Sequence, residues 1–363
     1  MNEKFKILGV LILMMIFSCT GEETVVFVQG EESIGTTVET DLTLKEKAKF
    51  KIGAAVKTSL LQSEPEYVNA LVENYSQITA EFEMKMEVLW GSPNYNFVPA
   101  DYLVDFADTN NMDLHGHSLV WYRSFPAWFT LHKENDTIAY ESKIKEFITT
   151  VGNRYKGKVR SWDVVNEVIS DSGGLRNEDF INAVFKDPIA FYGRCFQYAR
   201  DADPDALLFY NDYGIANLPV KRASIKSLIK RLLDEGYPVD GIGCQFHYTA
   251  SNSLESIKTA FDDIASLGLL MHISELDMRM NTSQSDNFIL TSATAKRQGD
   301  IYEFIVSMYE DLPENQKYAI TTWGVTDKFT WLTDFWHPKE YPLLLDSNYN
   351  KKLSYLGFLN GLR

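Results

Sequence analysis

The chain of 363 residues reads as an α/β protein, a single (β/α)8 barrel of the TIM type behind a short export segment. Two features carry that reading. From Lys49 onward, short apolar runs alternate with longer stretches of helical period, as expected of repeated βα units, and the apolar runs number eight, which closes a barrel. Several runs finish on a catalytically capable residue, namely Glu81, His117, Glu167, Asp212, His247, Glu275 and Trp323. Barrel enzymes carry their chemistry at the C-terminal strand ends, so this placement favours an enzyme over a scaffold. Alternation alone also fits a doubly wound open sheet. Length suits a barrel, which runs to about 250 residues or more, and 45% hydrophobic content is ample for a large core.

In chain order the predicted strands are Phe50–Ala54, Ile78–Glu81, Leu114–Val120, Ser161–Glu167, Leu207–Asp212, Gly241–His247, Leu270–Glu275 and Tyr318–Trp323. Each is a short apolar run, shorter than a helix needs. Helical period fills the gaps between them, for example over Ala139–Tyr155, Pro219–Asp234, Leu254–Leu267 and Thr294–Glu310. Cys195 falls on a predicted helix and Cys244 on a predicted buried strand. Export permits a disulfide between them, but two buried free thiols are the simpler reading.

The N-terminus reads as an address. Lys4 and Lys6 precede an apolar run from Ile7 to Phe17. About eleven residues fall short of the roughly 20 that span a bilayer, and fit a signal-peptide core. Ile16-Phe17-Ser18-Cys19 resembles a bacterial lipoprotein cleavage box with Cys19 as the lipid attachment site; an ordinary secretory signal containing a cysteine is the alternative. The expected divisions are a signal at 1–18, an acidic Glu- and Thr-rich tether at 19–48, and a catalytic body at 49–363. An exported lipoprotein follows, held by its lipid to a membrane at the outer membrane, cell surface or periplasmic face. Against 35 basic residues stand 50 acidic ones, a net charge of −15, which argues against a nucleic-acid partner. A monomer is expected.

Two carboxylates stand out. Trp162-Asp163-Val164-Val165-Asn166-Glu167 ends the fourth strand, and His272-Ile273-Ser274-Glu275-Leu276-Asp277 ends the seventh. An apolar strand that finishes in an acid puts a charge at the barrel mouth, and two such strands can hold two carboxyls a fixed distance apart. Glycoside hydrolysis needs that arrangement: one carboxylic acid protonates the leaving oxygen while the second attacks or activates water. A single Glu of this kind is more often a solvated loop charge. The pair, with Asn166 beside the first, favours chemistry. The 22 Phe, 19 Tyr and 7 Trp fit an aromatic core and equally well platforms for stacking sugars.

With these residues in view, the body from Lys49 to Leu362 resembles the family 10 glycoside hydrolases, the retaining endo-β-1,4-xylanases. The matching motifs run in the family's order: Thr79-Ala80-Glu81 with Lys85, Gly116-His117-Ser118-Leu119-Val120-Trp121, Trp162–Glu167, and Tyr210-Asn211-Asp212-Tyr213. Gly241–His247, Ile273–Asp277, Thr322–Asp327 with Trp331, and Pro342–Asp346 continue the series. The resemblance implies that Glu167 is the general acid/base and Glu275 the nucleophile, with carboxyls roughly 5–5.5 Å apart and a covalent glycosyl-enzyme between two displacements. Like charges that close do not both ionise easily, so Glu167 is expected to carry the proton while Glu275 stays anionic. By the same resemblance His247 holds the nucleophile and Asn166 binds the sugar 2-hydroxyl. Glu81, Lys85, His117 and Trp121 grip the glycone sugars, Gln245 lines the cleft, Trp323 and Trp331 form its aromatic walls, and Tyr213 faces the leaving-group side. The implied partner is xylan or a related β-linked polysaccharide; no metal or cofactor is implied.

The chain departs from the family's pattern on the glycone side. Phe82 stands where the family has Asn, Met86 where it has Trp, and Tyr122-Arg123-Ser124 where it has His-Ser-Gln. Phe82 and Ser124 thus replace two amides that ordinarily hydrogen-bond glycone sugars, each such bond being worth on the order of 1 kcal/mol. The expectation is a remodelled glycone side, weaker on linear xylan or adapted to a decorated or different β-linked glycan. Three rivals are set against this reading. Gly152–Lys158 has phosphate-loop spacing, but Val159 replaces the required hydroxyl and the segment runs from helix into strand. His115 and His117 share one strand face, as in metal-dependent barrels. A surface glycan-binding lipoprotein without catalysis would have no need of Glu167, Asn166, His247 and Glu275 together.

Overall fold

The computed structural model describes residues 38, 40–92, 94–130 and 136–363. The expected signal at 1–18, Cys19 and most of the tether lie outside the described residues. All eight predicted strands form: β1 (Lys51–Val56), β2 (Gln77–Ala80), β3 (Asp113–Trp121), β4 (Ser161–Asn166), β5 (Leu207–Asp212), β6 (Gly241–Cys244), β8 (Leu270–Arg279) and β9 (Lys317–Thr322), with a short β7 (His247–Thr249) between β6 and β8 in the chain. Every neighbour pair is parallel, β6 pairs directly with β8, and β9 returns to β1 with Ala54 opposite Thr322, so the sheet closes. This is a (β/α)8 barrel.

The sixth strand differs from its prediction. Gly241–His247 reads as one strand in sequence, yet the backbone breaks at Gln245-Phe246, where Phe246 has a left-handed φ of 51°. After the break, β7 pairs with the far end of β8, His247 opposite Asp277. That step carries His247 above the barrel rim, and it draws β8 four residues past Glu275.

Helices wrap the outside where helical period predicts them, over Thr137–Tyr155, Pro219–Asp234, Leu254–Ala265 and Ser292–Glu310. The first begins two residues earlier than its apolar pattern because Asp136 caps it, accepting from the backbone N–H of Ile138 and Ala139. Most of the aromatic surplus is core: Tyr67, Tyr75, Tyr192, Tyr210, Trp162 and Phe147 are all fully buried. Gly116 admits Trp162 to β3, since a Cβ there would fall 2.1 Å from the indole ring. Cys195 and Cys244 are buried free thiols.

One boundary needs correction. The tether was expected to run to residue 48, but the folded body starts earlier. Leu44 is fully buried at the head of a helix Leu44–Lys47, Val38 N–H donates to the Lys351 carbonyl at 2.9 Å, and Tyr355 Oη donates to the Leu42 carbonyl at 3.1 Å. Val38, Leu42 and Leu44 are too few among polar residues to show a periodicity, which hides this docking from sequence.

Candidate active site

The C-terminal strand ends open into a cleft of about 840 Å³. Glu275 projects from β8 and is only 4% exposed. Its Oε1 accepts from Asn211 Nδ2 at 2.8 Å, and its Oε2 lies 3.1 Å from His247 Nε2. Asn211 is itself fixed, its Oδ1 accepting from Ser274 Oγ at 2.6 Å. His247 Nδ1 stands 3.0 Å from Asp277 Oδ1, though off the line of a good hydrogen bond, and Asp277 Oδ2 accepts from Trp331 Nε1 at 2.7 Å. Burial alone would raise the Glu275 carboxyl; the His247 bond, the nearby His117 and the Asn211 bond outweigh it and hold the group below the usual carboxylate range. Burial likewise opposes charge on His247, but Asp277 and Glu275 on either side push it up to about 10. The geometry sets a half-buried imidazole, favoured in its protonated form, between two carboxylates.

Glu167 follows β4 with a left-handed φ of 58°, a conformation that costs a residue with a Cβ on the order of 1–3 kcal/mol and persists only where its surroundings impose it. Here they do. Its N–H donates to the Asn211 carbonyl at 2.9 Å, and its own carbonyl accepts from Arg176 Nε at 2.9 Å. The carboxyl accepts from Gln245 Nε2 at 2.9 Å and from Trp121 Nε1 at 3.1 Å. Asn166 joins the two acids: its Oδ1 accepts from Asn211 at 2.9 Å and stands 3.5 Å from Gln245 Nε2. An unbroken chain of amides thus runs from Glu275 through Asn211, Asn166 and Gln245 to Glu167.

The cleft walls carry the remaining predicted residues. Glu81 is buried with Lys57 Nζ 3.4 Å from its Oε1; burial raises its carboxyl despite Lys57 and Lys85. Lys85 lies between two rings, its Nζ 4.8 Å from the centres of both Phe82 and Trp121. His117 Nδ1 bonds Asp163 Oδ2 at 2.8 Å, and His115 Nε2 stands 3.0 Å from the same oxygen. Both histidines therefore turn on one buried carboxylate. Among the described residues no group of three or more His, Cys, Asp or Glu is arranged to hold a metal ion. Trp323 and Trp331 line the cleft beside His247, with ring centres 6.1 and 5.1 Å from the imidazole. On the opposite wall, Tyr213 donates to Asp171 Oδ1 at 2.6 Å, accepts from Arg176 Nη2 at 3.0 Å and packs its ring on buried Lys221.

The three departures are distributed unevenly. Phe82 is 46% exposed and lines the cleft, whereas Met86 is buried in the core and Ser124 is buried with its hydroxyl donating to the Trp121 carbonyl at 3.3 Å. Sequence reading named Asn211 and Asp277 only as members of motifs, without a role, and missed Arg176. Asn211 was visible as a lone amide inside an apolar strand. Arg176 was not, because only the short antiparallel bridge between Ile169 and Leu175 folds it back under Glu167.

A closed βα barrel whose mouth holds two glutamates bridged by amides, between aromatic walls, is the architecture of a two-carboxylate glycosidase. Comparison with known proteins gives the particular group. Residues 41–360 match the model of glycosyl hydrolase family 10, and the chain belongs to that family. It is 38% identical over 320 residues to endo-1,4-beta-xylanase B of Paenibacillus barcinonensis, covering 84% of this chain and 93% of that one. It is 35% identical over 369 residues to a beta-1,4-xylanase of Dictyoglomus thermophilum, covering 98% of both. Among solved structures, a mutant xylanase 10C of Cellvibrio japonicus in complex with xylopentaose matches with a TM-score of 0.83 at 32% identity, over 89% of this chain and 69% of that one.

Proposed function

We propose that this protein is a xylanase that hydrolyses β-1,4-xylosidic bonds of xylan or xylo-oligosaccharides with retention of configuration. In this reading Glu275 attacks the anomeric carbon while Glu167 gives its proton to the leaving oxygen. Water then enters on the same face, Glu167 removes its proton, and Glu275 departs as a carboxylate. The observation that carries the proposal is the amide chain from Glu275 to Glu167, which fixes two acids of unlike surroundings in one cleft. Asn166 stands between them, where a sugar 2-hydroxyl would lie. The names of the relatives agree with this substrate. Release of reducing ends from xylan, abolished by Glu275→Ala, is the expected result; persistent release by that variant would defeat the assignment.

The glycone side is where this chain is read as remodelled. Phe82 offers an apolar ring in place of an amide, and Ser124 bonds backbone instead of reaching for sugar. Binding of an unsubstituted glycone sugar therefore loses hydrogen bonds and gains a flat face that favours stacking. Equal rates on unsubstituted and arabino- or glucurono-substituted xylo-oligosaccharides, together with strong binding two sugars upstream, would remove the basis for this part.

A further inference from the structure

Arg279 is the last residue of β8 and lines the same cleft as Glu275 and Glu167. Glu275, Asp277 and Arg279 are alternate residues of one strand and so share a face. At about 3.3 Å per residue, Arg279 stands about 13 Å up the strand from the nucleophile, at the rim of the cleft. Its Nε is buried and has no hydrogen-bond partner. Among the described residues no carboxylate reaches it. The other arginines at the site are engaged: Arg123, which also lines the cleft, donates to the Tyr122 hydroxyl at 2.8 Å, and Arg176 donates to two carbonyls and Tyr213. The guanidinium is also held in place, 4.7 Å over the Trp336 ring, while Trp336 Nε1 donates to the Asn281 carbonyl at 3.0 Å.

From this we infer that Arg279 is a recognition site for a carboxylate borne on a branch of the glycan, that is, for a uronic acid substituent. The inference rests on the reading of the cleft as a xylan-cleaving site. A partly desolvated guanidinium is costly to leave unpaired and is shaped to grip a carboxylate with two parallel bonds. The chain carries a net charge of −15, so an unpaired cation in its substrate cleft is not a general lure for anions. The backbone sugars of the proposed substrate are neutral and lie on the floor beside the glutamates. A charged group at the rim belongs to something that hangs from that backbone. Stacking on Trp336 pre-orients the fork, so little freedom is lost when a carboxylate arrives.

The test uses three substrates: a neutral linear xylo-oligosaccharide, the same backbone bearing a uronic acid, and that branched form with its carboxyl reduced to the alcohol. Wild type is expected to show a kcat/KM about five- to tenfold higher on the uronate form than on its reduced counterpart, mostly through KM. Raising the salt to about 0.5 M should shrink that ratio. Arg279→Gln should bring the ratio to near one and leave the neutral substrate within about twofold, and Arg279→Lys should keep part of it. Free glucuronate at millimolar concentration should not inhibit hydrolysis of the neutral form. A wild-type ratio of one, a ratio retained in Arg279→Gln, an equal loss on all three substrates, or inhibition by free glucuronate would each overturn the inference. Failure of wild type on the neutral oligosaccharide is a separate result and counts against the proposed activity; binding of the two branched forms to wild type, compared by calorimetry, would then still decide the role of Arg279.

Discussion

Glu275, on β8, and Glu167, just past β4, stand three strands apart round the same barrel, yet the protein holds them by different means. Glu275 is nearly sealed, and both its oxygens meet side-chain donors, Asn211 on one and His247 on the other. Those contacts favour the charged form. Glu167 is half-buried, and much of its restraint acts on the backbone, through Arg176, the Asn211 carbonyl and a left-handed φ. In the proposed mechanism Glu275, as the nucleophile, has to be a fixed anion. An acid/base has to keep its place while its carboxyl gains and loses a proton, and backbone restraint allows that.

The sharpest way to break the comparison is to remove each acid and vary the leaving group. Glu275→Ala should lower kcat by on the order of 10⁵-fold with every substrate, since no bond to the sugar forms. Glu167→Ala should lose on the order of 10²–10⁴-fold on xylan and far less on a 2,4-dinitrophenyl xylobioside, whose leaving group departs without a proton. Equal losses on both substrates would show that Glu167 is not the proton donor.

His247 tests the surroundings of Glu275, the proposed nucleophile. Its value in the folded protein is raised from 6.5 to about 10, so the protonated form stabilises the fold. That contribution is fully present below pH 6.5, declines above it, and is lost as pH passes about 10. Glu275 has the opposite sign: held below its ordinary 4.5, it stabilises above that pH and fails as acid overtakes its lowered value. Urea midpoints followed from pH 6 to pH 10 should fall more steeply in wild type than in His247→Asn. Parallel curves would show that the imidazole carries no charge between its two carboxylates.

What sequence made legible follows the same division. Strands were readable because each is an apolar run, and the two acids because each stands where such a run ends. Restraint was less readable. Little in Gly241–His247 announces the break at Phe246 that lifts His247 beside Glu275: Gln245 interrupts the apolar run there, but one polar residue does not encode a left-handed turn. Asn211 could be seen as polar, but its two acceptors come from β4 and β8, 45 and 64 residues away. Arg176 lies nine residues beyond Glu167 and returns by a single bridge, a turn that charge and periodicity do not encode.

Arg176 accordingly supplies the next test. Removing it frees the Glu167 and Ile169 carbonyls and the hydroxyl of Tyr213 together, leaving three acceptors without their charged donor. Arg176→Ala should cost about tenfold on xylan and less on the dinitrophenyl substrate, with Arg176→Lys recovering part of the loss. A purely structural arginine would lower both rates alike, so the leaving-group ratio separates positioning from folding.

The smallest effect is expected where the cleft meets the glycone. Phe82 is exposed beside Lys85, and in the proposed glycone subsite its ring stands in place of an amide. Phe82→Asn returns that amide without disturbing the core, because the ring is not packed into it. One hydrogen bond to substrate is worth about 1 kcal/mol, so KM for a linear xylo-oligosaccharide should fall about fivefold while kcat stays the same. The change should leave both acids untouched, since their amide chain lies on the other side of Trp121. If KM instead rises, the exposed ring is itself the sugar's platform, and stacking on Phe82 outweighs the hydrogen bond it displaced.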